Sequence, residues 1–230
     1  MEYTCRDIAK MIDHSLLRPE LSDEDIIQGC EIAKRYDVAS VCCGPSAVSF
    51  VKKLLEGSNV NVTTVIGFPH GYSKTETKIF EAKQAIEDGA VELDMVVNIS
   101  KLRSKNYDYV QKDIKAVVDV AHPHGVLVKV IFENCYLTDE LKEAGYKLAE
   151  DAGADFIKTS TGFAPGGATW EDLRLMRKAV SKQVQVKAAG GIRDLDKALK
   201  VREIGGTRFG ATKTDEIMEE CYRRKGKKTG

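Results

Sequence analysis

The chain has 230 residues, of which 43% are hydrophobic, so it is long enough to bury one large core or two small ones. Its 35 basic residues equal its 35 acidic residues, and the formal net charge is zero. This balance excludes a global electrostatic attraction to nucleic acid or to an anionic membrane, so any anion site has to be local.

Apolar runs of strand length alternate with segments of helix length along the whole chain, and glycine or proline separates many of them. The predicted strands are Ile12–Leu17, Val38–Gly44, Val60–Pro69, Val91–Val97, Val126–Glu133, a short strand within Asp155–Phe163, Val184–Ile192 and Gly205–Gly210. The predicted helices are Thr4–Met11, Ser22–Tyr36, Ser46–Glu56, Lys74–Asp88, Tyr107–Ala121, Thr138–Asp151, Thr169–Val180, Asp194–Glu203 and a last helix that begins at Thr212 or Thr214.

Eight strand–helix units in this length give about 29 residues per unit, close to the ~30 residues of a βα unit. Continuous apolar strands are typical of a parallel sheet that helices cover. Alternation alone fits either an open doubly wound sheet or a closed barrel. The count of eight favours a single (β/α)₈ barrel with a short N-terminal helix, and we expect residues 1–230 to form one domain.

Two of these strands carry a lysine followed by glycines. Lys158 lies in the sixth strand and Lys187 in the seventh. Burial disfavours a charged amine, and a second ammonium group nearby makes each amine easier to deprotonate. A neutral lysine can form a Schiff base with a carbonyl. The alternative for Lys158 is that its stem packs while its head reaches water.

Polar residues cluster toward the ends of the strands, where barrel enzymes place their active sites. They are Asp13, Asp94, Asn98, Lys129, Glu133, Lys158 and Lys187. Asp94 is the candidate for moving protons, although pairing with a lysine would also explain it. Lys129 and Glu133 are predicted to orient the reacting groups.

Glycines follow the sixth, seventh and eighth strands, where barrels often bind phosphate through backbone N–H groups. We predict substrate binding by Gly162, Gly190, Gly191, Gly210, Thr212 and Asp13. The Gly166-Gly167 pair and Arg193 are further candidates for this side of the site.

Other features indicate a cytoplasmic protein without a cofactor. The six cysteines have no C-x-x-C spacing and are expected to be reduced thiols. We expect no signal peptide and no membrane span. The four histidines lack metal-ligand spacing, and nucleotide-binding glycine motifs are missing. Trp170 is expected to pack, and the basic run Arg223–Lys228 to be a solvated end, with nucleic-acid contact a minor alternative.

The chain resembles the deoxyribose-phosphate aldolase family over almost its whole length. The matching stretches are Ile12–Leu17, Val65–Gly71, Gly89–Val97, Val128–Glu133, Asp155–Thr169, Val186–Arg193 and Gly206–Ala211. The resemblance implies a cofactor-free, imine-forming (class I) aldolase on a (β/α)₈ barrel. Its expected reaction is reversible cleavage of 2-deoxy-D-ribose 5-phosphate to acetaldehyde and D-glyceraldehyde 3-phosphate, in deoxyribonucleoside catabolism.

By position in the family's motifs, the resemblance implies that Lys158 is the Schiff-base lysine, Lys187 its tuning partner and Asp94 the proton relay. The chain departs from the family at Thr212-Lys213 and Asn134, and it lacks a terminal tyrosine, for which Tyr222 is a conceivable substitute. The partners expected are phosphorylated sugars and aldehydes, and a homodimer is conceivable.

Two other functions fit the same barrel. A phosphosugar isomerase or epimerase would use Asp94 and Glu133 as acid and base without a covalent adduct. A catalytically inactive phosphosugar-binding protein would bind without turnover. The two strand lysines favour the aldolase.

Overall fold

A computed structural model describes residues 2–226 of the chain. Within this range, eight parallel strands form a closed barrel in chain order. The pairing of the last strand with the first excludes the open doubly wound sheet and confirms the predicted (β/α)₈ barrel. The strands are β1 Ile12–Leu16, β2 Ser40–Cys43, β3 Asn61–Ile66, β4 Glu92–Val96, β5 Leu127–Ile131, β6 Phe156–Lys158, β7 Gln185–Ala188 and β8 Arg208–Ala211.

Helices cover the outside of the barrel. They are α1 Cys5–Ala9, α2 Asp23–Tyr36, α3 Val48–Leu54, α4 Thr75–Glu87, α5 Ile99–Arg103, α6 Tyr107–Ala121, α7 Asp139–Asp151, α8 Trp170–Ala179, α9 Leu195–Ile204 and α10 Thr214–Arg224. The short N-terminal helix was predicted, whereas α5 was not. Asn98 caps α5 by accepting a hydrogen bond from the Lys101 backbone N–H at 3.2 Å.

Side-chain caps explain where several helices begin. The predicted Ser22–Asp25 capping box is present at α2, and Thr138 caps α7 as predicted. Gly89 follows α4 with φ of 104°, which is the left-handed conformation expected just beyond a helix end. The predicted cap at Ser46 is wrong, because Pro45 starts a 3₁₀ turn there and α3 begins without a side-chain cap.

The two faces of the barrel wall differ in chemistry. Alternate strand residues, such as Val41, Leu93 and Val130, join the apolar core between the barrel and its helices. The intervening residues point into the barrel, where charged and hydroxyl side chains contact one another across the strands. The hydrophobic core therefore surrounds the barrel, while the barrel interior is an ionic cluster.

The expectation of six reduced thiols is wrong for one pair. The sulfurs of Cys5 in α1 and Cys221 in α10 are joined as a disulfide, with their Cα atoms 5.7 Å apart. These two residues are 216 positions apart in the sequence, so only the fold brings them together. Cys30, Cys42, Cys43 and Cys135 are free thiols.

Candidate active site

Lys158 is the last residue of β6, at the carboxyl end of the barrel. Its side chain is only 4% exposed, so it does not extend into bulk water, and the alternative that its head reaches the solvent is wrong. The amine lies at the base of a cavity that also contacts Lys187, Asp13 and Cys42. A ligand in this cavity would reach the Lys158 amine directly.

Lys187 lies beside Lys158, because β6 and β7 are paired with these two residues in register. Both amines donate to the same oxygen of Asp94, Lys158 at 2.7 Å and Lys187 at 2.6 Å. The sum of these two distances limits the separation of the two nitrogens to 5.3 Å. The structure thus brings together the three residues that the sequence singled out for catalysis.

Asp94 is buried and faces three ammonium groups. Burial by itself raises the pKa of its carboxyl group, but Lys129, Lys158 and Lys187 outweigh burial and hold that pKa well below its usual range. Asp94 is therefore ionised at neutral pH, and one of its oxygens links Lys158 to Lys187.

The pKa values of the two lysines shift in opposite directions. Burial is the main cause that lowers the pKa of Lys158; Asp94 opposes this shift, and Lys187 adds to it. Burial also acts on Lys187, but Asp13 and Asp94 outweigh it and raise the pKa of Lys187. Lys187 thus favours deprotonation of Lys158, as expected, whereas the two carboxylates decide the direction of the shift at Lys187.

A second group of charges lies behind these residues, of which Lys129 was predicted from the sequence and Arg208 and Glu92 were not. Arg208 in β8 donates to Glu92 at 2.7 Å and, through its Nε, to Asp13 at 2.8 Å. Lys129 in β5 lies 2.5 Å from Glu92 and donates to Asp94 at 2.8 Å. Side chains two residues apart on a strand point to the same face. Glu92 lies two residues before Asp94, and Arg208 lies two residues before Gly210, so the sequence did contain a signal that both face the barrel interior.

Glu133 and Asn98 were expected to lie with the other polar residues at the strand ends, but they bond to other parts of the chain. Glu133 accepts hydrogen bonds from the backbone N–H of Thr161 at 3.2 Å and from its hydroxyl group. It therefore positions the loop after β6, in line with the orienting role predicted for it. Asn98 caps α5 and makes no hydrogen bond with the charged cluster.

The predicted substrate-binding residues meet around one cavity. Its lining includes Gly162, Gly190, Gly191, Gly210, Thr212, Asp13 and Arg193. Gly190 has φ of 82°, a left-handed conformation that glycine adopts without strain. The carboxylate of Asp13 is already occupied by Lys187, at 2.5 Å, and by Arg208. A substrate contact by Asp13 stays a prediction.

Gly167 has a packing role next to this cavity. A Cβ atom on Gly167 would lie 2.5 Å from the carbonyl oxygen of Gly190, so only glycine fits there. Gly166 is packed against Cys135 in the same way. The two glycines line a different cavity and do not take part in the lining around Lys158.

The departures from the family pattern lie mostly outside the cavity. Asn134 is buried and accepts a hydrogen bond from Tyr146 at 2.9 Å, and Lys213 pairs with Glu216 at 2.7 Å. Tyr222 stacks on Tyr36 with ring centroids 6.2 Å apart, so it does not replace a terminal tyrosine in the site. Cys42 does line the cavity, and burial raises the pKa of its thiol to about 11.

Several other features named in the sequence analysis lie elsewhere in the described chain. Residues 2–226 contain no group of three or more acidic, histidine or cysteine side chains that could hold a metal ion. Trp170 packs against the apolar core. In the same range, every helix is too short or too polar to cross a membrane. Arg223 and Arg224 end α10 and pair with Glu220, so this part of the basic run is helical, while 227–228 lie outside the described residues.

Known proteins match both the sequence and the fold. The sequence profile described as DeoC/LacD family aldolase matches residues 8–212. A protein named deoxyribose-phosphate aldolase from Thermococcus gammatolerans is 53% identical over 215 residues, covering 93% of this chain and 96% of its own length. One of the same name from Clostridium perfringens is 51% identical over 214 residues, covering 93% and 95%.

Solved structures extend this similarity to the fold. A putative deoxyribose-phosphate aldolase from Coccidioides immitis superposes with a TM-score of 0.92 at 39% identity, covering 96% of this chain and 87% of that one. A deoxyribose phosphate aldolase from Aeropyrum pernix, described as a unique tetramer, gives a TM-score of 0.88 at 29% identity, covering 94% and 92%.

The closed barrel and its buried lysine–aspartate cluster, together with these relatives, define an enzyme of the barrel aldolase class, a carbon–carbon lyase. The chain belongs to the DeoC/LacD family of aldolases.

Proposed function

We propose that this enzyme cleaves 2-deoxy-D-ribose 5-phosphate reversibly to acetaldehyde and D-glyceraldehyde 3-phosphate through a Schiff base on Lys158. The observation that carries this proposal is the buried Lys158 amine at the base of the cavity, which shares one Asp94 oxygen with Lys187. The relatives support cleavage, and they give no support to the isomerase or to the inactive binding protein.

The first half of the reaction needs a neutral amine. Lys158 attacks the C1 aldehyde of the open-chain sugar, and the resulting carbinolamine loses water to give an imine. Burial lowers the pKa of Lys158 and so favours the nucleophilic form. Lys187 has a raised pKa and keeps its proton. It can pass this proton to the Asp94 oxygen that it shares with Lys158, and Asp94 can pass it on to the carbinolamine.

The second half breaks the bond between C2 and C3. The C3 hydroxyl loses its proton to a base, the C2–C3 electron pair moves onto C2 to form an enamine, and D-glyceraldehyde 3-phosphate leaves. Asp94, directly or through a water molecule, is the base we assign. Protonation of C2 and hydrolysis of the imine then release acetaldehyde and restore the Lys158 amine.

The phosphate group needs a site away from the lysines. We assign it to the loops after β7 and β8, where Gly190, Gly191, Gly210 and Thr212 line the cavity and Arg193 adds a positive charge. Gly162 completes the wall on the β6 side, and we assign to Asp13 a contact with the sugar. This places the C1 aldehyde toward Lys158 and the phosphate toward the start of α10.

Trapping of the imine tests the proposal. Incubation with acetaldehyde and borohydride should add a reduced two-carbon group to Lys158, located by peptide mass spectrometry. Lys158→Ala should fold normally, because burying the amine costs free energy in the folded state. The variant should lose turnover by several orders of magnitude, because it lacks the nucleophile. A folded wild-type enzyme that cleaves the sugar without any adduct at Lys158 would contradict the Schiff base.

We further propose that the enzyme works in the cytoplasm. A phosphorylated substrate and four free thiols suit a reducing cytoplasm, whereas the Cys5–Cys221 disulfide is the feature that does not. We also propose that the enzyme forms a homodimer. Light scattering would give twice the chain mass for the dimer, and the mass of a monomer or tetramer would contradict it.

A further inference from the structure

Arg208 and Glu92 are buried ionic side chains that the mechanism above does not use. Arg208 is 11% exposed at its side chain and Glu92 only 2%, and neither lines the cavity around Lys158. They contact each other at 2.7 Å. Each of them also contacts a residue that is bonded to Lys187 or to Asp94. Arg208 donates to Asp13, which holds Lys187, and Glu92 lies 2.5 Å from Lys129, which holds Asp94.

The cluster has an unequal number of opposite charges. Its members form one connected network of ion pairs, with four basic side chains and three carboxylates: Lys129, Lys158, Lys187, Arg208, Asp13, Glu92 and Asp94. A net charge is costly to bury. Loss of one proton from one base removes the excess, so the composition of the network favours one neutral amine.

Hydrogen bonding decides which base that is. Arg208 contacts two carboxylates, Asp13 and Glu92, and a guanidinium group does not deprotonate in proteins. Lys187 lies within 2.6 Å of oxygens of both Asp13 and Asp94, and Lys129 lies within 2.8 Å of oxygens of both Glu92 and Asp94. Lys158 contacts a single carboxylate, so it is the base with the least electrostatic support.

We propose that Arg208 and Glu92 are positioning residues whose charges set the imbalance that leaves the Lys158 amine without a proton. Arg208 neutralises carboxylate charge that a protonated Lys158 would otherwise neutralise. Glu92 supplies the third negative charge, so the positive charge of the cluster exceeds the negative charge by only one. This inference rests on the proposed Schiff-base function and adds two residues that act through the cluster without touching the substrate.

The other groups near Lys158 do not reverse this argument. From β2, the Cys42 thiol has a pKa of about 11 and is neutral near pH 7. Glu133, two residues beyond β5, is a further carboxylate that interacts electrostatically with Lys158, which lowers its pKa less than burial raises it. Its oxygens are bonded to Thr161, and it forms no ion pair with the ammonium groups of the described cluster. From β4 and β7, Asp94 and Lys187 face the amine directly. Cys42 and Glu133 stay unchanged in the variants below, so they do not alter the direction of the expected shifts.

The test is the pH dependence of kcat/KM for sugar cleavage, which reports the free enzyme. Arg208→Gln removes one positive charge, so the pKa of Lys158 rises and the rising limb of the profile should move up by about one pH unit. Glu92→Gln is isosteric and removes one negative charge, so the same limb should move down by about one pH unit.

A double variant separates charge from structural damage. Arg208→Gln combined with Glu92→Gln restores the excess of one positive charge, so the profile should return toward that of the wild type. Arg208→Lys keeps the charge and should stay near the wild-type profile. Arg224→Gln, which removes an arginine from a surface ion pair with Asp196, is the matched control and should not move the profile.

The outcomes distinguish this inference from the function on which it rests. Three outcomes would overturn the inference even if the wild type forms its adduct. They are shifts in the same direction for both single variants, no shift in either of them, and a double variant whose profile does not return toward that of the wild type. If Arg208→Gln does not fold, Glu92→Gln alone decides, because a profile that stays or moves upward contradicts the proposal. Absence of the Lys158 adduct in the wild type would instead overturn the proposed function.

Discussion

Burial, rather than its neighbouring cation, is the main reason why the amine of Lys158 can act as a nucleophile. Burial is the largest effect that lowers its pKa, the carboxylate of Asp94 opposes it, and Lys187 contributes a smaller effect in the same direction as burial. At the scale of single residues, Lys158 thus differs from the other lysines of the cluster in having fewer carboxylate partners. Each other ammonium group in the cluster contacts at least two carboxylates, and Lys158 contacts one.

The smaller effect of Lys187 gives a prediction of its own. Lys187→Leu removes a positive charge within 5.3 Å of the Lys158 nitrogen, the separation limit set by their shared Asp94 oxygen. The pKa of Lys158 should therefore rise, and activity, which needs the neutral amine, should appear only at higher pH. The measurement is the pH profile of kcat/KM, alongside the rate of adduct formation with acetaldehyde. An unchanged profile would remove Lys187 from its tuning role.

The sequence predicted Lys158, Lys187 and Asp94 because an ionisable side chain in an apolar strand is conspicuous. It did not predict Arg208, since a short strand rich in glycine gives no burial signal for an arginine. It did not predict Glu92 either, although Glu92 shares its face of β4 with Asp94. Which carboxylate contacts which amine depends on strand register, and register is set by the closed barrel.

At the scale of elements, a second buried ion pair fixes the outer layer to the barrel. Lys78 in α4 donates to Asp113 in α6 at 2.6 Å and to the carbonyl oxygen of Val96 at the end of β4 at 2.9 Å. Thr75 donates to the other oxygen of Asp113 at 2.7 Å. Two helices and one strand end are thus tied together beside the segment that carries Asp94.

Removal of one partner of this pair should be costly. Lys78→Met leaves the Asp113 carboxylate buried without its cation, and we expect a loss of about 3–5 kcal/mol in the free energy of unfolding, measured by urea denaturation. Replacing both residues, with Lys78→Met and Asp113→Leu, should recover much of that loss. Lys115→Met breaks an exposed pair with Asp119 on α6 and should cost less than about 1 kcal/mol. Equal losses in Lys78→Met and Lys115→Met would contradict the argument.

The order and type of the elements followed from the sequence, but not all of their ends. Alternating apolar runs and helical segments gave all eight strands, and side-chain caps such as Ser22 located helix starts. The strand β8 begins at Arg208, later than predicted, because Gly205 and Gly206 end α9 and turn the chain. The helix α5 was missed because it is only five residues long and lacks a clear apolar period.

At the scale of the whole molecule, the Cys5–Cys221 disulfide links the first helix to the last. A link across 216 residues restricts the unfolded chain strongly, and we expect it to contribute about 2–5 kcal/mol to stability. The oxidised wild type should therefore unfold at higher urea concentration than the same protein unfolded with a reductant present. The double variant with Cys5→Ala and Cys221→Ala should show no such dependence on the reductant.

A matched control is available for this prediction. Cys135→Ser alters an exposed free thiol and should keep the full effect of the reductant. Alkylation of the denatured, unreduced wild type should label only the four free cysteines. Labelling of all six, with equal stability in the two redox states, would show that the bond does not form. The sequence could not predict this pair, because spacing does not identify partners that lie at opposite ends of a chain.

The closure of the barrel by β8 against β1 has a consequence for how the protein is made. Asp13 lies near the beginning of the chain, and its partners Lys187 and Arg208 lie near the end. While the ribosome synthesises the protein, the nascent β1 has an unpaired edge and Asp13 lacks both cations until β7 and β8 emerge. The ionic interior can therefore lose its water only after β8 has paired with β1, and the surroundings of the Lys158 amine are complete only at that step.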